Sequence, residues 1–191
     1  MRVLVVDDSS SARRFLSEML HEIGVGPVTG AADGAEAIET LRDDPADIMF
    51  CELHMAPVDG IQLTRLLRNA GDSPNCYLPV VILTADATHT QMKNALLAGA
   101  NAFMSKPVKM STVHKKLISI FSHPLVFVRD SRNLRPVLAL PALEAMAPRD
   151  AAAFMPPGIA RGHQRNLDDA VDGESDGVDK QPLTRRDLGL R

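Results

Sequence analysis

The chain has 191 residues, 45% of them hydrophobic, and a formal net charge of -3. That length supports one good core with residues left over. The charge, with no long Lys/Arg block, excludes an electrostatic case for binding nucleic acid, and two cysteines exclude a disulfide framework. No apolar stretch is long enough to cross a bilayer. The first residues, one Arg and four apolar side chains leading into Asp7 and Asp8, carry no secretory pattern, so a cytoplasmic protein is expected.

Val3 to Val6 reads as a fully buried first strand ending at Asp7-Asp8. Ser9, Ser10 and Ser11 offer N-caps for a first helix. Its apolar stripe is Ala12, Phe15, Leu16, Met19, Leu20 and Ile23, stopped by Gly24 and Gly26. Val28 and Thr29 allow only a short second strand. Asp33 and Glu36 have the spacing of a capping box, Ile38 and Leu41 face inward on a second helix, and Asp43-Asp44-Pro45 ends it.

The next apolar run, Ile48 to Cys51, passes directly into Glu52 and then into a turn cluster with Pro57 and Gly60. It predicts a buried third strand whose carboxyl end delivers Glu52 to the sheet edge. Cys51 lies inside that run and reads as a small buried hydrophobe. Leu63, Leu66 and Leu67 mark a third helix. Tyr77 to Leu83 is a fourth strand, ending at Thr84-Ala85-Asp86. Thr88 and Gln91 form a second capping box, and Met92, Ala95 and Leu96 give the fourth stripe, closed by Gly99. Ala102 to Met104 is a brief fifth strand ending at Ser105-Lys106-Pro107. Val113, Leu117, Ile120 and Phe121 make a fifth helix. Five strands alternating with five helices predict right-handed crossovers and a parallel sheet covered on both faces.

After residue 121 the pattern changes. Seven of the 13 prolines lie there, and Asp168 to Asp179 holds six acidic residues and no basic ones. Residues 122–191 are expected to be a Pro-rich, acidic, disordered tail, with Val137 to Met146 as a candidate docking segment.

Open α/β sheets place their sites at the carboxyl ends of strands. Those ends offer Asp7 and Asp8, Glu52, Thr84 beside the small Ala85, and Lys106. Three carboxylates, a hydroxyl and an ammonium at one sheet edge suit a hard cation and a phosphoryl group. Singly, each residue has an ordinary role as a cap, a satisfied hydroxyl or a surface lysine. Together, at four strand ends, they point to a site.

At these motifs the sequence resembles the receiver domains of two-component response regulators, over residues 1–121. The carrying stretches are Val5-Val6-Asp7-Asp8, Glu52 through Gly60, Leu83-Thr84-Ala85, and Gly99 through Pro107. The resemblance implies a flavodoxin-like, CheY-like sheet of strand order 2-1-3-4-5. It implies Mg²⁺ held by Asp7, Asp8, the residue at position 52 and the backbone carbonyl of His54. It implies phosphoryl contacts from Thr84, Ala85 and Lys106, a switching aromatic at Phe103, and a cis Lys106-Pro107 bond. The family accepts phosphate on an Asp, whereas this chain has Glu52. The extra methylene pushes the carboxylate towards the phosphoryl position, misplaces the attacking oxygen and weakens Mg²⁺ binding. Pro57 also stands one residue later than the family's usual proline.

The function so implied is a non-enzymatic signalling and interaction module, independent of phosphorylation or partly constitutive. The alternatives are a working phosphoacceptor or phosphate sink in a phosphorelay and, more remotely, a Mg²⁺-dependent phosphatase-like enzyme. The implied partners are a histidine kinase or phosphotransfer protein, or a downstream target on the face of the fourth helix, fifth strand and fifth helix. No DNA-binding domain and no membrane segment are expected, and a homodimer is compatible with the reading.

Overall fold

The computed structural model describes residues 1–137, which fall within one compact unit. Five strands, β1 (Val3–Val6), β2 (Val28–Ala31), β3 (Ile48–Glu52), β4 (Val80–Thr84) and β5 (Ala102–Ser105), form a parallel sheet of order β2-β1-β3-β4-β5. Five helices alternate with them: α1 (Ser10–Glu22), α2 (Gly34–Asp43), α3 (Gly60–Arg68), α4 (His89–Ala98) and α5 (Met110–Ser122). The strand order implied by the resemblance is the one observed.

The central strands are apolar on both faces because both faces are covered. Val3, Val5, Ile48, Phe50, Val81 and Leu83 pack with Leu16 and Leu20 of α1 and Val113 and Leu117 of α5. The alternate residues Leu4, Val6, Met49, Cys51 and Ile82 pack with Leu41 of α2, Leu63 and Leu67 of α3, and Ala95 of α4. Three stripe positions depart from expectation: Phe15 is 55% exposed, Leu66 50% and Phe121 43%, all off the faces that meet the sheet.

Local capping explains the helix starts. Ser9 accepts from the Ala12 N–H, and Thr88 and Gln91 complete the predicted capping box. At α2 only half of the predicted box forms. Asp33 accepts from Ala35 and Glu36, while Glu36 turns back to the N–H of Ala32. Asp59 and Gln62 form a further box at α3. The apolar run predicts a fourth strand from Tyr77, but its ladder begins at Val80. Pro79 has no N–H to give, and its carbonyl accepts from Met49.

A hairpin stands where the sequence suggested only tail. β6 (Val126–Asp130) pairs antiparallel with β7 (Asn133–Val137), and Ser131 in the turn has φ 53°, the left-handed conformation such a tight turn requires. Leu134 is only 4% exposed. The Ala70 N–H donates to the Arg132 carbonyl at 2.7 Å, and Phe127 meets Tyr77 edge-on at 6.2 Å. Packed structure therefore continues past residue 121. Of the candidate docking segment only Val137 is described, and the acidic run lies outside the described residues.

Candidate functional site

Sheet register builds the site. Val6 lies opposite Cys51, Glu52 opposite Leu83, and Thr84 opposite Ser105. Asp7, Glu52, Thr84 and Lys106 are thereby delivered to one carboxyl edge. Asp7, Glu52 and Thr84 are buried, whereas Asp8 is exposed.

Lys106 joins the two buried acids. Its Nζ lies 2.5 Å from Asp7 Oδ2 and 2.5 Å from Glu52 Oε2. Partial burial alone would lower its pKa, but the hydrogen bonds and charges of Asp7 and Glu52 overcome that and raise it. The repulsion expected between the two carboxylates is offset by the ammonium between them. Their other oxygens are also engaged. Asp7 Oδ1 accepts from the Ser9 N–H at 2.9 Å, and Glu52 Oε1 from the His54 N–H at 3.2 Å.

Not every expected member converges. The Thr84 hydroxyl is engaged by its own loop, accepting from the Asp86 N–H at 3.2 Å, rather than by Glu52 or Lys106. Phe103 is partly buried against the core face that includes α4. Ala85 lines a shallow apolar cleft with Asp7, Phe15, Lys106, Pro107 and Val108. The Lys106-Pro107 bond is cis, as are Gly26-Pro27 and Ala56-Pro57. Buried Cys51 lies next to Glu52, and desolvation first, then the Glu52 charge, raises its thiol pKa out of the reactive range.

The donor types suit Mg²⁺, and in the structure the two buried carboxylates are engaged by N–H donors. All four oxygens of Asp7 and Glu52 face N–H donors, and among the described residues no group of three or more His, Cys, Asp or Glu side chains is placed to hold a metal.

Three residues around the site make contacts that sequence spacing does not announce. Arg13 donates to the Asp7 carbonyl at 2.6 Å and the Asp8 carbonyl at 3.4 Å, fixing the turn after β1; one basic residue in a helix gave no signal of it. Gln91 caps α4, and its Nε2 also meets His54 Nε2 at 3.0 Å. At Gly60 a Cβ would stand 2.5 Å from the Glu52 carbonyl oxygen, so α3 starts hard against the end of β3.

The profile of the response regulator receiver domain matches residues 3–118. The chain belongs to this family. It is 33% identical to the chemotaxis protein CheY-3 of Vibrio cholerae over 121 residues, 63% of this chain and 92% of that protein. It is 32% identical to chemotaxis protein CheY of Pseudomonas aeruginosa, over 63% of this chain and 96% of that one. Among solved structures, Vibrio cholerae CheY4 superposes with a TM-score of 0.57 at 27% identity, covering 62% of this chain and 97% of that one. The receiver domain of the sensor histidine kinase PA1611 from Pseudomonas aeruginosa, with magnesium coordinated in its active-site cleft, gives 0.57 at 26% identity, covering 64% and 98%. The receiver is related to CheY proteins, consistent with two-component signalling. Receiver domains bind Mg²⁺ in their active sites and interact with histidine kinases or phosphotransfer proteins and with downstream targets. Among the described residues no helix is long and apolar enough to cross a membrane.

Proposed function

We propose that this receiver is a signalling and protein-interaction module in which Glu52 replaces the phosphoacceptor and holds the site in a fixed charge arrangement, without normal phosphate cycling. The observation that carries this reading is the 2.5 Å contact between Glu52 Oε2 and Lys106. The longer side chain reaches the ammonium that the resemblance assigns to the phosphoryl group. A carboxylate supplies one negative charge, less than a phosphoryl group, and Thr84 stays on Asp86. The imitation is therefore partial, limited to the Lys106 half of the switch. Mg²⁺ binding is weakened, because the cation competes with Lys106 for both buried carboxylates. Output runs through the receiver's own surface, with a kinase, a phosphotransfer protein or a downstream protein as partner.

The alternative, a working phosphoacceptor, predicts a different labelling result. Incubation with a labelled small phosphodonor and Mg²⁺, followed by mapping of the modified residue, should leave the parent unlabelled at Glu52 and label Glu52→Asp at position 52. The nucleophile then stands at the family's usual depth. Labelling of Glu52 at a rate matching that of Glu52→Asp would replace this reading with the phosphorelay one.

A further inference from the structure

Helix α4 is fastened at both ends. At its N-terminus the Gln91 Oε1 accepts from the Thr88 N–H and the Thr88 hydroxyl, each at 3.0 Å. The oxygen is thereby committed, so the amide nitrogen of Gln91 donates to His54 Nε2 at 3.0 Å. The backbone N–H of the same His54 donates to Glu52 Oε1. One residue thus touches the charged site with its backbone and α4 with its ring.

At the C-terminus of α4 the Gly99 carbonyl accepts from Arg68 Nε at 3.2 Å and Nη2 at 2.8 Å. Arg68 is 2% exposed, and among the described residues no carboxylate is one of its hydrogen-bond partners. Its other bonds go to the carbonyls of Cys76 and Leu78 and to Asn101 Oδ1. The Phe127 ring of the hairpin covers the guanidinium at 4.8 Å from its centroid, and β7 packs beside α4. A continuous line of contacts therefore runs from Glu52 through His54, Gln91, α4, Gly99 and Arg68 to Phe127. The family profile stops at residue 118, so the hairpin end of this line lies beyond the matched receiver.

We propose that α4 couples the charge on Glu52 to the docking of the β6–β7 hairpin, the hairpin being a clasp whose closure depends on the site. A charged acceptor holds the His54 N–H more firmly than a neutral one. Neutralising Glu52 loosens the 53–55 segment, withdraws the imidazole from Gln91 and frees the start of α4. A stiff helix released at one end fits its other end less well, and the hairpin seated on Arg68 opens more often. The inference needs only the charge at position 52 and stands whether or not that charge imitates phosphate.

Linkage makes the effect reciprocal, which gives the test two arms. In the full chain, amide hydrogen exchange is followed at residues 127–136, in α4 and at His54. Glu52→Gln is expected to speed hairpin exchange about fivefold, the lower end of typical coupling between sites. In a His54→Ala background, which keeps the backbone N–H and removes the ring, the same change should leave hairpin exchange unaltered. In the other direction, Phe127→Ala should speed exchange of the His54 amide, while Val128→Ala on the outward, 48% exposed side of the hairpin should not. Phe127→Leu, which keeps most of the bulk, supplies this arm if the Ala variant loosens the whole domain. Hairpin exchange that ignores Glu52→Gln, or responds equally with and without the His54 ring, overturns the proposal.

Discussion

Lys106 Nζ lies 2.5 Å from Glu52 Oε2, and the same nitrogen lies 2.5 Å from Asp7. The ammonium is thus the internal counter-ion of two buried acids. Lys106→Met would leave both carboxylates without it. The expected cost is about 1–3 kcal/mol, below the range for breaking a fully buried pair because the lysine is partly solvated. The variant should also gain an Mg²⁺ response. Thermal melts with and without Mg²⁺ should show a small shift for the parent and a clearly larger one for Lys106→Met, since binding to the native state alone raises stability. Equal shifts would show that the metal does not compete with the ammonium.

The same contact gives a pH signature. The folded pKa of Lys106 is raised above the ordinary 10.5 by Asp7 and Glu52, against the lowering effect of burial. Its stabilisation is therefore complete below about 10.5 and is lost as pH climbs through the folded value. Arg68 adds no opposing arm: burial lowers its pKa, but its bonds to the carbonyls of Cys76, Leu78 and Gly99 and the Phe127 ring over it keep the guanidinium charged. Urea midpoints from about pH 9 to about pH 12 should fall more steeply for the parent than for Lys106→Met, which lacks the titrating ammonium. Parallel curves would remove the pair from the stability balance.

The sheet was legible because each of its elements carries its own signal. Val3 to Val6 and Ile48 to Cys51 are continuous apolar runs because they are buried on both faces. Ser9, Asp33 and Thr88 announce the helices they cap. The convergence of Asp7, Glu52 and Lys106 follows from strand ends alone. The hairpin was hidden for physical reasons. Its turn is Ser131-Arg132 rather than an Asn-Gly type, and Pro136 argues against a helix while being tolerated in an edge strand. Arg68 gave no sign either. An Arg in a last helical turn ordinarily faces solvent, and what makes its burial workable, the carbonyls of Cys76, Leu78 and Gly99 and the Phe127 ring, comes from other elements. The Thr84–Asp86 contact depends on a loop conformation that no spacing encodes.

Truncation measures what the hairpin contributes. Cutting after residue 121 removes buried Leu134 and the Phe127 ring over Arg68. The expected loss is about 2–5 kcal/mol, the range for deleting one buried leucine side chain. Cutting after residue 138, the end of the compact unit, should leave the urea midpoint near that of the full chain with cooperative unfolding. If the shorter fragment is as stable as the longer one, the hairpin is an ornament on a self-sufficient receiver.

Gly60 tests whether the close approach of α3 to β3 positions Glu52. Its amide donates to the Leu53 carbonyl at 3.0 Å. A Cβ there would meet the Glu52 carbonyl oxygen at 2.5 Å and Cys51 Sγ and Leu53 Cα at 3.2 Å. Two of those three atoms are backbone and cannot rotate away, so the end of β3 or the start of α3 must shift. Helix propensity alone predicts the reverse, since Ala in place of Gly inside a helix is favoured by about 1 kcal/mol. Gly60→Ala is expected to destabilise by about 1–3 kcal/mol, the usual cost of overpacking. It should also flatten the alkaline arm of the stability curve, because Glu52 is moved off Lys106. Gly71→Ala is the control, as its Cβ would find nothing nearer than 3.5 Å. A Gly60→Ala protein that melts at or above the parent temperature would mean that α3 slides freely, and that the position of Glu52 is fixed by the β3 ladder alone.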